Sequence, residues 1–254
     1  MRFAQRPSEC DALRERLEAA RKSLAPDRQA VFDACVDDLN ASHVVMNRSI
    51  GDLADWLQDK LLLHYCYHAQ VRLGRRVPSD NVYDLQRKSA ENTVNPFFFE
   101  DLSIAALSLD GKGMPYYGPY TVRLKEKALA HRATVFTENP FIFTKRHNVT
   151  AGELPPPGHR APWQERASVA MAKIGAKLAE AFTPPLPRLL MSNDRDSSEC
   201  DFVEVHIFGS LHASSIESVA GPAPSIPEDA VLWSSAKRKL AQLGARVEET
   251  PCAL

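Results

Sequence analysis

The chain has 254 residues, of which 44% are hydrophobic and 25% are charged, and its formal net charge is −1. This is the balance of an ordinary globular protein, and the near-zero charge excludes a global attraction to nucleic acid or to an anionic membrane. The length fits one large domain, or one domain with a small helical addition. No apolar run is long enough for a membrane span.

Cysteine usage and the N-terminal sequence indicate the compartment. The five cysteines are widely scattered, and no pair has the CxxC spacing of a zinc or redox site, which favours a reducing environment. The N-terminal sequence has no apolar core and therefore does not resemble a secretory signal. We expect a cytoplasmic protein, while export by a route that reads no signal peptide stays open.

The N-terminal residues predict two helices. Residues 8–24 carry an apolar stripe with Ser8 as the expected N-cap, and Pro26 can open the second helix because proline suits the first helical turn. We expect an N-terminal helical section, residues 1–40, to pack on an α+β domain formed by residues 41–254.

The next residues predict a strand, a helix and a long loop. Residues 42–50 predict a short strand, and residues 52–64 predict a strongly amphipathic helix after Gly51 breaks the strand pattern. Residues 72–96 are rich in Arg, Asn and Ser and predict a surface loop. Residues 97–109 are apolar enough to be buried, and strand and helix are both compatible with them.

Strands and helices then alternate irregularly along the rest of the chain. Alternating or apolar runs predict strands at residues 116–125, 133–137, 189–192 and 202–208. Helices are predicted at residues 164–182 and from Pro227 onward, and the five prolines between residues 139 and 163 predict a loop. Strands concentrated in the middle and the far third, without regular βαβ winding, predict an α+β fold.

Common catalytic motifs are absent from the sequence. It contains no GxGxxG, P-loop, HExxH or GxSxG. His64 and His68 are four residues apart and could share a helix face, as zinc ligands do, but no third ligand accompanies them. We therefore predict no metal site.

Two short patches point to a function. Residues 117–125 read YGPYTVRLK and are followed by RATVFTENPF at residues 132–141. Residues 202–211 read FVEVHIFGSL and are followed by IESV at residues 216–219. In this order, the patches resemble the mono-ADP-ribosyltransferase domains of bacterial toxins and effectors. In those domains a Tyr-Gly strand leads to RxTF and a short polar pair, and a closing strand of the form YxEAQIxG precedes a helix.

The sequence departs from this pattern at two points. The polar pair is Glu138-Asn139, and proline replaces the small hydroxyl residue there. His206 stands two residues after the key glutamate, at a distance where the pattern often has Glu or Gln. The second departure leaves the acceptor chemistry open, and it is also compatible with a degenerate, inactive copy of the fold.

The resemblance implies a fold, a substrate and a setting. The fold is an ADP-ribosyltransferase-like α+β core, with a split sheet of mixed or antiparallel strands and with N-terminal and C-terminal helices. The substrate is NAD, whose ADP-ribose passes to an unknown macromolecular acceptor as nicotinamide leaves. The setting is a bacterial toxin, effector or defence protein that acts without a membrane, and a neutralising partner protein is a further expectation.

The resemblance also assigns catalytic residues. Breaking the nicotinamide–ribose bond passes through an oxocarbenium-like state, which a fixed carboxylate can stabilise. Glu204 is the expected carboxylate, because a charged side chain in an apolar strand needs a reason to be there, although a strand with one solvated face would also explain it. His206 faces the same side of the strand and is expected to position an acceptor or a ribose hydroxyl.

Four residues are expected to bind the dinucleotide. Thr134 and Thr137 are the candidate hydroxyls of the nicotinamide pocket, and at most one of them faces it, because they are three residues apart on a strand. Arg48 ends a strand just before a helix and is expected to contact a phosphate through its planar donors. His43 and His64 are alternatives for this contact, and a surface arginine would also explain Arg48. Tyr117 is expected to stack on nicotinamide, although packing at the rim would also explain it.

Other functions stay open. A non-enzymatic, immunity-type partner-binding module would not bring Glu204 and Thr134 to one cleft. An NAD glycohydrolase, with water as the acceptor, is a close variant of the leading function. A His-based nuclease or other hydrolase would bring together some of His64, His68, His131 and His206.

Overall fold

The computed structural model describes residues 2–78, 82–150, 152–178, 185–192 and 200–251. Within these ranges the chain forms an eight-stranded sheet and a separate two-stranded ribbon, with helices before, between and after the strands. No helix in the described ranges is both long and apolar enough to cross a membrane. Cys10, Cys35, Cys66 and Cys200 are free thiols.

The α-helices and β-strands are numbered in chain order. The helices are α1 (Pro7–Lys22), α2 (Pro26–Asn40), α3 (Ile50–Gln58), α4 (Tyr67–Arg72), α5 (Val82–Val94), α6 (Pro140–His147), α7 (Arg166–Leu178), α8 (Leu186–Leu190) and α9 (Pro227–Gln242). The strands are β1 (His43–Arg48), β2 (Leu63–His64), β3 (Leu102–Ser108), β4 (Tyr120–Leu124), β5 (Ala133–Phe136), β6 (Arg160–Pro162), β7 (Glu204–Phe208), β8 (Leu211–His212), β9 (Ile216–Pro222) and β10 (Arg246–Thr250).

The large sheet is mostly antiparallel. Its strands lie in the order β10-β9-β4-β1-β3-β7-β5-β6, and β2 pairs with β8 in the ribbon. Among the described pairs of the large sheet, only β9 and β10 are parallel. Helices α1 and α2 precede the sheet, and α9 lies near the C-terminus. The α+β class predicted from the sequence is therefore confirmed.

The sheet is split between its two central strands. β1 and β3 pair only where His43, Val44 and Val45 face Ser108, Leu107 and Ala106. Beyond these three pairs, β1 continues to Arg48 on its pairing with β4, and β3 continues back to Leu102 on its pairing with β7. The two strands are no longer joined there, so a gap forms between their ends.

One face of the sheet is covered by helices. Directly opposed residues on neighbouring strands share a face, and on this face Val44, Val122 and Val205 are buried in one core with side chains of α1, α2, α3, α7 and α9. Gly175 lets the N-terminal helices sit close on α7, because a Cβ there would lie 2.6 Å from the Cβ of Ala20. Burial of this face provides the main hydrophobic stabilisation of the fold.

The helix predicted over residues 52–64 is wrong in its second half. Ser49 caps α3, since its hydroxyl accepts a hydrogen bond from the backbone N–H of Asp52 at 3.0 Å. The carboxylate of Asp59 then accepts the backbone N–H groups of Leu61 and Leu63, at 2.9 and 3.2 Å. This turn ends the helix and redirects the chain into β2, which places His64 on a strand.

The loop predicted over residues 72–96 is also wrong, because α5 occupies much of it. Glu91 of this helix has one partner a helical turn away and another that is distant in the sequence. Arg87 Nε lies 2.6 Å from one carboxylate oxygen of Glu91, and His68 Nε2 lies 2.7 Å from the other. The charge of Glu91 therefore belongs to a largely buried ion-pair set rather than to a solvated loop.

Smaller differences between the sequence predictions and the structure concern where individual helices and strands begin and end. The N-cap of α1 is Arg6 rather than Ser8, because Pro7 occupies the first turn. Residues 189–192 were predicted as a strand, but α8 begins after Pro185 and covers their start. The predicted loop over residues 139–163 contains α6 and β6. The predicted helix start at Ile216 is a strand instead, since β9 pairs with both β4 and β10.

Candidate active site

A cavity of about 180 Å³ opens where β1 and β3 separate. We call this cavity the cleft. The ends of the two separated strands form its floor, α4 and α5 form one wall, and β7 and the segment before β4 form the other. Its charged lining, within the described residues, consists of Arg48, Asp52, Arg76, Arg87, Glu91 and Glu204.

Arg48 lines the cleft at the free end of β1. Its Nη1 donates to the backbone carbonyl of Asn47 at 2.7 Å, and its Nη2 lies 2.9 Å from His64 Nε2. Because a guanidinium can only donate, His64 accepts at Nε2 and carries its proton on Nδ1. Burial, with the nearby cations Arg48 and Arg76, holds the pKa of His64 well below its usual range, which fits a neutral ring.

Arg48 forms no direct ion pair in the described part of the chain, although the charge of nearby Asp52 partly opposes the fall in its pKa. No carboxylate in the described part of the chain lies within ion-pair distance of its guanidinium, and its buried Nε has no hydrogen-bond partner there. Burial lowers the pKa of Arg48 to about 10, so it remains a cation at neutral pH. Arg48 is half-buried and its buried Nε is unsatisfied, so an anionic ligand would supply the partner that the guanidinium lacks.

Gly118 fixes the backbone beside Arg48. It has a φ of 135°, and a Cβ at this position would lie 2.2 Å from the carbonyl carbon of Arg48. The amide of Asn47 donates to the Gly118 carbonyl at 2.9 Å, which joins the two segments. The glycine of the Tyr-Gly pattern therefore permits a close backbone approach at the floor of the cleft.

We expect Gly118→Ala to lower the free energy of unfolding by at least ~2 kcal/mol, because positive-φ strain and a backbone clash act together. Gly74→Ala is the matched control. Gly74 also has a positive φ of 67°, but no atom lies within 4 Å of the position that an added Cβ would take. It should cost only about 1 kcal/mol. Urea unfolding of both variants checks this, and equal losses would contradict the close approach.

Glu204 brings a buried carboxylate to the opposite side of the cleft. Only 4% of the residue is exposed, and its Oε2 lies 2.7 Å from His206 Nε2. Burial raises the pKa of Glu204 above its usual value, and the hydrogen bond from His206 opposes this rise. Glu204 and His206 share one face of β7, as their spacing of two residues predicts.

The wall formed by α5 and the segment between α4 and α5 carries further charges. The Arg87 guanidinium lies 4.1 Å from the centroid of the Tyr67 ring, and the Arg76 guanidinium lies 5.1 Å from the same centroid. Arg87 is ion-paired with Glu91, whereas Arg76 is exposed at the mouth of the cleft. The cleft thus combines a cationic mouth with a buried carboxylate on β7.

The structure brings together some of the predicted site residues and separates others. Arg48, Tyr117 and Glu204 line the cleft. Thr134 and His206 instead line an adjacent cavity of about 460 Å³ on the same face of the sheet, where they are directly opposed on β5 and β7. Thr137 lies just beyond β5, and its carbonyl accepts a hydrogen bond from Lys173 at 3.0 Å. Neither threonine lines the cleft.

The candidate histidines His64, His68 and His206 do not form one cluster in the described residues, whereas the rings of His147 and His159 lie 4.5 Å apart away from the cleft lining. His64 lines the cleft, His206 lines the adjacent cavity, and His68 faces Glu91. No group of His, Cys, Asp and Glu within these residues is arranged to hold a metal ion. The structure therefore offers no specific support for a histidine-based hydrolase.

Sequence reasoning missed the α5 contribution to the cleft. Arg76, Arg87 and Glu91 all fall in the segment that was predicted to be a loop. The opposite charges of Arg87 and Glu91 are four residues apart, a spacing typical of a helix surface, and this was the available signal. Their approach to Glu204 depends on tertiary packing and has no local signature.

The fold and the cleft define an α+β protein with a split sheet and a charged pocket between its central strands. No protein-family model matches the sequence, and no curated protein is significantly similar to it. Among solved structures, the chain is similar to DarT of Thermus sp. 2.9, which was determined in complex with carba-NAD+. The identity is 12%, the match covers 82% of this chain and 94% of that chain, and the TM-score is 0.43. A likeness of this size carries no functional argument, so the function must be argued from the cleft itself.

Proposed function

We propose that this protein cleaves NAD at the nicotinamide–ribose bond and transfers ADP-ribose to a macromolecular acceptor. The observation that carries the proposal is the pairing of two groups on one cleft. The unpaired cation of Arg48 suits a diphosphate, and the buried carboxylate of Glu204 suits a ribose that becomes positively charged. Tyr117 lies on the same wall and offers a ring for stacking on nicotinamide.

The proposed chemistry follows the logic of glycoside cleavage. The bond between ribose C1′ and the pyridinium nitrogen breaks, and its electron pair stays with nicotinamide, which leaves as a neutral molecule. The positive charge moves to the ribose as an oxocarbenium-like state, which the Glu204 carboxylate stabilises. A nucleophile of the acceptor then bonds to C1′ and loses its proton. A bacterial toxin, effector or defence protein is the setting that we propose for this reaction.

The first test is nicotinamide release from NAD by the purified protein, with and without a cell lysate as the source of acceptor. Release that requires the lysate supports transfer to a macromolecule. Release at the same rate without lysate supports hydrolysis, with water as the acceptor. No release under either condition, together with no heat of NAD binding in calorimetry, contradicts the proposal and favours a partner-binding module.

The pH dependence of the reaction should report Glu204. The carboxylate must be ionised to stabilise a cation, and burial raises its pKa above the ordinary value of 4.5. Glu91 of α5 adds to the rise, whereas His206 and Arg87 oppose it. We therefore expect kcat/KM for NAD to fall on the acid side through a pKa above 4.5. A rate that stays constant down to pH 4.5 would contradict an ionised Glu204 in the reaction.

A further inference from the structure

A chain of buried polar side chains leads from Glu204 to the N-terminal helix. His206 Nε2 lies 2.7 Å from Glu204 Oε2, and His206 Nδ1 lies 3.3 Å from Nδ2 of Asn95. The other amide atom of Asn95, Oδ1, accepts from Nη1 of Arg160 at 3.2 Å. Arg160 Nε in turn lies 3.9 Å from a carboxylate oxygen of Glu9 on α1.

The order of donors and acceptors in this chain determines where the proton of His206 lies. The guanidinium of Arg160 can only donate, so the amide oxygen of Asn95 faces it and the amide nitrogen faces His206. That nitrogen also donates, so His206 accepts at Nδ1 and carries its proton on Nε2. The Nε2–H group then donates to Glu204.

The surroundings favour this single arrangement. Asn95 is 4% exposed and the side chain of His206 is 2% exposed, so both groups are held mainly by protein contacts. Phe136 stacks on the His206 ring at 5.6 Å, and the Arg160 guanidinium lies 5.4 Å from the same phenylalanine ring. Arg160 is held further by the backbone carbonyl of Val94. Each group of the chain is therefore packed as well as hydrogen-bonded.

The N-terminal helix contributes the last link. Glu9 of α1 accepts the backbone N–H of Gly158 at 2.7 Å, two residues before Arg160. Arg16 of the same helix donates to the Gly158 carbonyl. These contacts fix the start of β6 against α1. The helix thus supports the side chain that orients Asn95.

We infer that Asn95 and Arg160 are positioning residues that fix His206 as its neutral Nε2–H tautomer. In this tautomer His206 donates to Glu204 and holds the carboxylate in the orientation that faces the cleft. The inference rests on the proposed function for its catalytic meaning. The assignment of donors and acceptors along the chain of side chains does not depend on that function. A proton relay through His206 is closed, because Nδ1 is occupied by the donor of Asn95.

The first experiment is a long-range ¹H–¹⁵N correlation spectrum of the side-chain nitrogens of the eight histidines, with His206 assigned by its loss in His206→Gln. We expect the wild-type His206 ring to be neutral, with its proton on Nε2. A proton on Nδ1, or on both nitrogens, at neutral pH would overturn the inference. This spectrum requires no altered site and no turnover.

The second experiment exchanges the donor for an acceptor. In Asn95→Asp, only acceptor oxygens face His206, so we expect Nδ1 to gain a proton and the spectrum to show an imidazolium. The imidazolium still donates from Nε2 to Glu204, but its positive charge offsets part of the negative charge that stabilises the ribose. The value of kcat for nicotinamide release from NAD should therefore fall about three- to tenfold, while KM stays within about twofold.

Asn92→Asp is the matched control, because it makes the same change on α5 three residues earlier, at a position outside the hydrogen-bonded chain. It should leave both the spectrum and kcat unchanged. An unchanged His206 spectrum in Asn95→Asp would overturn the inference, as would a rise in KM without a fall in kcat. If wild-type protein does not cleave NAD, the proposed function fails. The spectra still show which nitrogen of His206 carries the proton, and so they test the inference independently.

Discussion

Glu204→Gln is expected to reduce kcat for nicotinamide release by about 10²- to 10³-fold, with little change in KM for NAD. Glutamine has nearly the same shape and still accepts the hydrogen bond from His206, but it carries no negative charge to stabilise the ribose cation. Steady-state release of nicotinamide measures the effect. The variant should resist urea at least as well as the wild type, since the raised pKa of Glu204 means that its ionised form costs stability at neutral pH.

Glu138→Gln is the matched control for this substitution. Glu138 is also a buried carboxylate, 2% exposed, with a pKa raised by burial. It pairs with Arg146 of α6 at 2.6 Å and is not among the described residues that line the cleft. We expect kcat within about twofold of wild type, because only a group at the reacting atoms changes the chemical step. Equal losses in the two variants would mean that buried charge in general, rather than Glu204, limits the rate.

Arg48→Lys is expected to weaken NAD binding about 10- to 100-fold while changing kcat much less. The substitution keeps a positive charge but removes the planar fork, including the unpaired Nε, and a hydrogen bond to a charged group contributes about 1.5–3 kcal/mol. Calorimetric titration with NAD measures the dissociation constant directly. A lysine that binds NAD as tightly as wild type would remove Arg48 from the proposed diphosphate site.

Arg123→Lys provides the comparison for Arg48. Arg123 lies on the neighbouring strand β4 with similar partial burial, and its Nε is 3.1 Å from Glu217. Its charge is therefore already compensated within the protein. We expect NAD affinity to stay within about twofold, because this guanidinium has no role in the cleft. A loss similar to that of Arg48→Lys would indicate a general effect on the sheet.

Sequence periodicity was sufficient to predict the strands that contribute residues to the cleft. The alternation around Val122 and Val205, and the apolar run that ends at Arg48, predicted β4, β7 and β1 correctly because one face of each strand is buried against helices. Proline at the first turn likewise predicted α2 and α9. These signals depend only on residues that are close in the sequence, so they can be recognised without knowledge of the tertiary contacts.

The errors arose where tertiary contacts override local composition. Helix α5 is polar, and its Glu91 is buried only because Arg87 and His68 pair with it. Strand β10 has a single apolar residue, Val247, among polar ones, and it is held by parallel pairing with β9 at the sheet edge. Its sequence carries little alternation to detect.

The strands that carry the candidate site residues were predictable for the same reason, whereas the roles of those residues stay predictions. Arg48 and Glu204 were proposed from the resemblance to mono-ADP-ribosyltransferase domains, on strands that the sequence pattern predicts, and both line the cleft. Thr134 was expected beside them, but the register of β5 against β7 opposes it to His206 in the adjacent cavity. The position of one strand relative to another is a tertiary property. The hydrogen bonds of Asn95 likewise depend on residues far apart in the chain.

The measurement that tests the central claim most directly is a crystal structure of Glu204→Gln with NAD, since the slowed variant should retain the intact dinucleotide. We predict that the diphosphate accepts hydrogen bonds from the Arg48 guanidinium, including its Nε, and that the nicotinamide ribose lies against the side chain at position 204. NAD bound outside the gap between β1 and β3, or an empty cleft at saturating NAD, would contradict the account.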